Sequence, residues 1–354
     1  FETMMQLTYL TFTAPRRDND AFASYKNRSK AELQNMDLNP SSSFSDSITS
    51  TLYMKHPRTL RMKADMVDKM DYDKILSMYQ DRFKDASDFT FILVGNVDVE
   101  AVKPLIESYL GSLPSINRKE TFKDNHIAMR KGIYKNEFIC QYNLRNDILM
   151  SMTDQLLNLI YTEKVREDEG GTYGVYPMGQ LVKYPVERAV LQIFFNTAPA
   201  KQEKLMKIIY AEADAFAKNG PDEASLNKVK EYMLKKHNED LKENGYWLNS
   251  IDEYLYTGID PVKDYEQIVN SITAKDVRQF ANELLKQRTD IRIVPGLSHA
   301  LSISENTRSG SKALSAITGK AQPSYRFPAD TLRIERLQPD MAVFLCSVRY
   351  HQHY

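Results

Sequence analysis

Residues 67–94 read VDKMDYDKILSMYQDRFKDASDFTFILV, and residues 269–296 read VNSITAKDVRQFANELLKQRTDIRIVPG. The two stretches align without a gap, 202 residues apart: Val67 with Val269, Met70 with Ile272, Ile75 with Val277, Met78 with Phe280, Phe83 with Leu285, Asp88 with Asp290, Phe89 with Ile291 and Phe91 with Ile293. Self-similarity at a fixed period sets the number of structural units before any motif is read. Asp71 and Thr273 each stand at an N-cap position before apolar residues at helical spacing, and each run is followed by a short β-rich stretch. Both copies therefore predict a helix and then a strand. Upstream, Phe44, Ser47, Ile48, Leu52 and Tyr53 meet Trp247, Ser250, Ile251, Leu255 and Tyr256 at an offset of 203, and Asn27 and Lys30 meet Asn227 and Lys230 at 200. Three blocks agree in order and spacing.

The first copy continues with Asp98 as a cap and with Val102, Leu105, Ile106, Tyr109 and Leu110 at helical spacing, stopped by Gly111 and Pro114. The second unit also has a front half: a β-rich piece around 129–138, a helix from about 144 to 166 and strands near 172–182 and 188–196. A helix over about 200–219 closes on Gly220, Pro221 and Asp222 open the next, and Gly245 and Gly258 punctuate those that follow. The expected layout is α+β. Residues 1–114 form the back half of one α/β unit, 115–125 a polar linker, 126–296 a complete unit with an antiparallel-rich sheet against helices, and 297–354 a tail of unknown role. On this reading the missing front half of the first unit lies upstream of Phe1.

Composition excludes several classes. Lysine plus arginine and aspartate plus glutamate both total 47, so no net field attracts nucleic acid or an anionic membrane; a peptide partner fits better. The longest apolar runs, FTFILV at 89–94 and AVLQIFF at 189–195, are strand-sized, which predicts a soluble chain with no membrane span. The two cysteines, Cys140 and Cys346, rule out a disulfide-stapled scaffold and a four-cysteine zinc knot, and leave periplasm and cytoplasm both open.

The chemistry concentrates in VREDEGGTYGV, Val165 to Val175. A helix with Leu149, Met152, Leu156, Leu159 and Ile160 on one side runs into Arg166, and Gly170 and Gly171 stop it and let the chain reverse. Tyr173 stands on the returning strand. Arginine supplies a permanently charged fork of donors and tyrosine one directed hydroxyl, a pair that suits a peptide carbonyl gaining negative charge during attack. Spacing alone equally allows Arg166 to pair with Glu163 or Glu169 while Tyr173 simply packs.

A helix ending in arginine, then acidic residues, a Gly-Gly turn and a tyrosine seven positions on resembles the final domain of the pitrilysin/insulinase family of zinc metallopeptidases, the inverzincins. FTFILVGNVDVEAVKPLIESYLGSLP at 89–114 is similar to the strand, turn and helix that close another domain of that family. The resemblance covers most of residues 1–296. It implies four homologous α/β units in two halves around a closed chamber, with zinc in the full-length enzyme held by H-x-x-E-H and a later glutamate on the amino-terminal half. It also implies that the carboxy-terminal half contributes Arg166 and Tyr173 to substrate binding and transition-state stabilisation. Partners on this reading are a peptide substrate and an amino-terminal half, on the same polypeptide or a partner subunit.

The chain itself lacks the metal motif. His56, His126, His237, His299, His351 and His353 fall in no H-x-x-E-H, and His237 is read as part of a solvated, lysine-rich face, KKHNEDLKEN. The segment alone is therefore expected to bind no zinc and to be inactive. The other reading is a non-catalytic structural or partner subunit of the same family, as in its processing-peptidase and respiratory-complex relatives. Retention of Arg166 and Tyr173 favours the peptidase. The resemblance also calls for a further strand between Phe138 and Leu144, where only five residues intervene.

Overall fold

The computed structural model describes the chain except residues 122–124, 126, 128–139, 168–171, 185–186, 198, 287–332, 339–340 and 348–354, together with the side chains of some further residues. The chain divides into two compact units, Phe1–Ile133 with Asp290–Tyr354, and Tyr134–Thr289. The architecture is α+β: mostly helical, with small antiparallel sheets.

The first unit contains α1 (Glu2–Thr13), α2 (Asn19–Leu38), α3 (Pro40–Leu52), α4 (Ala64–Val67), α5 (Tyr72–Phe83), strand β1 (Thr90–Gly95) and α6 (Val99–Leu105), which widens into a π-helical turn at Ile106–Leu110. Its caps come from short side chains next to the helix starts. The carboxyls of Asp18, Asp71 and Asp98 accept the amides of Ala21, Lys74 and Glu100, which otherwise have no partner in the first turn. The core gathers Met5, Phe12, Val102, Ile106, Leu110 and Leu113 against Phe83, Phe89 and Phe91. Phe12 meets the rings of Phe83 and Phe89 edge to face, at 4.9 Å each. Asp85 is 1% exposed, and its carboxylate accepts the amides of Ser87 (3.0 Å), Ile116 (3.1 Å) and Arg118 (2.6 Å). The beginning of the polar stretch after Pro114 is thus tied down, and Arg118 extends the tie through ion pairs to Asp81 and Glu120.

The second unit runs through α7 (Leu144–Tyr161), β2 (Thr172–Val182), β3 (Arg188–Thr197), α8 (Gln202–Asn219), α9 (Glu223–Asp240), α10 (Asn244–Thr257), α11 (Tyr265–Ser271) and α12 (Ala274–Lys286). Gly220 ends α8 at φ 77°, a left-handed conformation that glycine adopts without strain, and Asp222 caps α9 through the amide of Ser225. Gly258 closes α10, whereas Gly245 lies inside its first turn and does not separate helices. Thr273 and Asp276 bond each other's amides at the start of α12, a reciprocal cap. The core is built on α7, whose Ile148, Leu149, Met152, Leu156 and Leu157 are buried with Leu205, Ile209 and Phe216 of α8 and Val277, Phe280 and Leu284 of α12.

Two strands complete the described chain. Strand β5 (Met341–Ser347) pairs antiparallel with β1, Val94 opposite Val343, and β4 (Arg333–Gln338) pairs antiparallel with β5, giving the order β1-β5-β4. The stretch expected to be a tail of unknown role therefore carries two strands of the first unit's sheet. The β-rich piece expected at 129–138 and the strand expected at 290–296 lie outside the described residues.

Candidate functional site

The helix that leads to Arg166 is fixed at both ends. Asn143 caps α7 by accepting the amide of Asn146 at 2.8 Å, and at the other end the wholly buried Tyr161 donates its hydroxyl to the Ile209 carbonyl at 3.3 Å. Beyond Tyr161 the chain widens into a π-helical turn, Thr162–Glu167, that packs against β2 and α8. Such turns are rare in proteins and recur at functional sites. Val165, wholly buried, anchors the turn one residue before Arg166.

The return strand is anchored in the same way. Val175, 2% exposed, lies two residues beyond Tyr173. Pairing of β2 with β3 sets Thr172 opposite Thr197 and Val175 opposite Phe195, so three steps on β2 match two on β3 and the irregularity spans Tyr173. Bulges of this kind re-aim the residues they contain. Arg166 and Tyr173 thus sit on two elements in mutual contact; their side chains, and residues 168–171 between them, lie outside the described residues. Of the alternative acidic partners of Arg166, Glu163 forms an ion pair with Lys164 at 3.0 Å, and Glu169 lies outside the described residues.

The sheet lies directly on α7. A Cβ at Gly179 would stand 2.1 Å from the terminal carbon of Met150, so a larger residue here would require the methionine side chain to move. Beside it is Asp154, whose carboxyl is pushed up to about 6 by burial, against the lowering effect of the Gly179 amide, and whose Oδ1 has no hydrogen-bond partner. Asp147, two turns earlier on the same face of α7, is likewise pushed up to about 6, by burial first and then by the nearby Glu253 carboxylate. On the outward face of the strand pair Tyr176, Met178 and Phe194 are exposed, with Tyr176 opposite Phe194. Neither the two carboxyls nor this apolar face was singled out in the sequence. Asp154 sits within an apolar helix face, and that interruption was the available signal.

His237 corrects one reading. It is 6% exposed, stacked on Tyr265 at 4.2 Å and in a hydrogen bond of 3.1 Å with the Tyr246 hydroxyl, so it belongs to the interior and not to a solvated face. Burial lowers its pKa from the ordinary value. Cys140 is buried, which, with the charge of Glu187, pushes its thiol up to about 11 and leaves it unreactive. Among the described residues no group of three or more His, Cys, Asp or Glu is arranged to hold a metal ion, so these residues do not fit a zinc centre. His126, His299, His351 and His353 lie outside the described residues. No described helix is long and apolar enough to cross a membrane.

Comparison with known proteins finds relatives that share this geometry. Residues 69–233 match the peptidase M16 inactive domain. The zinc protease PQQL-like of Arabidopsis thaliana is 22% identical over 285 residues, which cover 71% of this chain and 29% of the relative. The crystal structure of the periplasmic protease PqqL from Escherichia coli matches with a TM-score of 0.69 at 18% identity, over 81% of this chain and 34% of that one. A protease from Helicobacter pylori matches with a TM-score of 0.63 at 16% identity, over 81% of this chain and 74% of that one. These matches fit the carboxy-terminal half of a pitrilysin/insulinase (M16) zinc protease. The chain spans about a third of the length of the curated relatives it matches.

Proposed function

We propose that this chain is the carboxy-terminal, substrate-binding half of a zinc-dependent metalloendopeptidase that cleaves peptides inside a closed chamber, with the zinc ligands on an amino-terminal half. One observation carries the reading. The chain returns from the π-helical turn bearing Arg166 onto the strand bearing Tyr173, and buried valines, Val165 and Val175, hold both sides of the reversal. Arg166 presents a planar fork of donors to the peptide, and Tyr173 donates one hydrogen bond to the carbonyl oxygen as it gains charge. Zinc on the other half supplies the activated water. Residues 126–296 form the complete unit, 1–114 the back half of a similar one, and 115–125 the join. The periplasmic Escherichia coli relative supports a location in the cell envelope.

The test is elemental analysis and hydrolysis of a quenched fluorescent peptide, first with this chain alone and then with the amino-terminal half of the same polypeptide present. The chain alone is expected to hold no stoichiometric zinc and to cleave nothing; both properties arise with the other half. Tight one-to-one zinc and activity in the chain alone overturn the placement of the ligands. An inactive pair whose other half has no H-x-x-E-H supports instead a non-catalytic partner subunit.

A further inference from the structure

At the far end of β2 from Tyr173 the second unit contains a cleft of about 340 Å³ that the function above does not use. Ten strand residues at about 3.3 Å each separate Tyr173 from Lys183, so the two places lie roughly 30 Å apart. The cleft has aromatic walls, Tyr142, Tyr184 and Tyr256; the last two meet edge to face at 5.0 Å, and Tyr256 is 61% exposed. Two neighbouring carboxylates of α10 face it. Glu253 accepts the Tyr142 hydroxyl at 2.8 Å, whereas Asp252 is exposed and makes no hydrogen bond or ion pair with any described residue.

The cleft already holds one cation of its own. The ammonium of Lys183 turns in from β2, donates to the Thr257 carbonyl, and lies 5.7 Å from the ring centre of Tyr184 and 5.9 Å from that of Tyr142. Ring faces attract positive charge, and a lysine free to extend into water that settles here instead reports an attractive field. One ammonium against two carboxylates leaves a negative charge over, and Asp252 at the rim is where it is unspent.

We infer that this cleft binds a basic side chain, a guanidinium above all, presented by a peptide or protein ligand. Arginine satisfies both features at once: its plane stacks on the open face of Tyr256 while its fork meets the carboxylate of Asp252. Lysine offers a point charge without the plane and binds less well.

Titration of the 354-residue chain with acetyl-Gly-Arg-Gly-amide, followed by saturation-transfer NMR, tests this, with the citrulline peptide as the uncharged isostere. The arginine peptide binds in the millimolar range, and the citrulline peptide at least about 5-fold more weakly. Asp252→Asn, a change at an exposed position, weakens arginine binding by about 3- to 5-fold. Lys183→Met removes the competing ammonium and tightens it by a similar factor. Tyr173→Phe leaves it unchanged, which separates this site from the catalytic reading. Equal binding of the two peptides, binding of neither, or an arginine affinity indifferent to Asp252→Asn overturns the inference.

Discussion

Met78 and Phe280 occupy matching places in the two copies of the repeat and meet opposite surroundings: Met78 is 62% exposed, Phe280 7%. The same holds one turn earlier, where Ile75 is 42% exposed and Val277 wholly buried. In the second unit α12 packs on α7 and α8, elements of the front half of that unit; in the first unit α5 packs on α1. Phe280→Ala is therefore expected to cost about 3–5 kcal/mol, while Met78→Ala changes stability by less than about 0.5 kcal/mol. Urea unfolding of the two variants checks the contrast. A large loss from Met78→Ala would show that this face is already covered.

Tyr173→Phe in an intact, active enzyme keeps the ring and removes one directed hydrogen bond. If that bond strengthens as the carbonyl oxygen gains charge, turnover falls by roughly 10²–10³ with little change in KM. Arg166→Lys is also damaging, because an ammonium does not reproduce the planar fork. Neither variant removes buried apolar volume, so melting temperatures stay close to the parent. Normal turnover with lowered melting would make the pair structural.

Asp147 and Asp154 bring a pH dependence of definite sign to the second unit. Their folded pKa values, about 6 against an ordinary 3.8, mean that the folded state keeps protons which the unfolded chain has released. Their contribution is most favourable below the ordinary value and is lost as pH rises through about 6. Asp147→Asn and Asp154→Asn are each expected to raise the melting temperature by about 2–4 °C at neutral pH, and to have little effect near the ordinary carboxylate pKa. His237 acts in the opposite direction, since its lowered pKa removes stability as pH falls below its ordinary value. Melts of the two Asn variants across this range separate the contributions.

Asp85 gives the first unit the contrary carboxylate behaviour. Burial alone would raise its pKa, but hydrogen bonds from Ser87, Arg118 and Ile116 outweigh it and hold the group at about 2. Its contribution is present above the ordinary value and is lost as pH falls toward about 2. Asp85→Ala leaves three amides without their acceptor and is expected to cost about 2–4 kcal/mol. It should also open the chain near residues 115–120 to proteolysis, which mass spectrometry of the first cleavage products reads directly.

What the sequence disclosed and what it hid divide along interaction range. Asp71, Asp98 and Thr273 were legible as caps because each bonds an amide two or three residues away, and Gly220 because its stop is a property of its own backbone. The start of β2 was legible because Gly170 and Gly171 read as a stop to the preceding helix. His237 was misread because its sequence neighbours are charged, while the rings that enclose it, Tyr246 and Tyr265, come from other helices. The Asp85 anchor was hidden for the same reason: its partners at 116 and 118 are some thirty residues away. Arg166 and Tyr173 are singled out by a motif alone, and the structure adds that their backbone positions lie on two elements in contact.

The pairing of β1 with β5 bears on how this molecule is made. Val94 meets Val343, about 250 residues downstream, so the central strand of the first unit's sheet is supplied only after the whole second unit has been synthesised. The second unit is encoded entirely within that interval. It can mature on the ribosome as a self-sufficient body while β1 waits with an unsatisfied edge, the kind of exposed strand that invites wrong partners. Assembly of this part of the polypeptide therefore runs from the inserted unit outward, and a pause in translation before β5 leaves β1, made long before, without its complement.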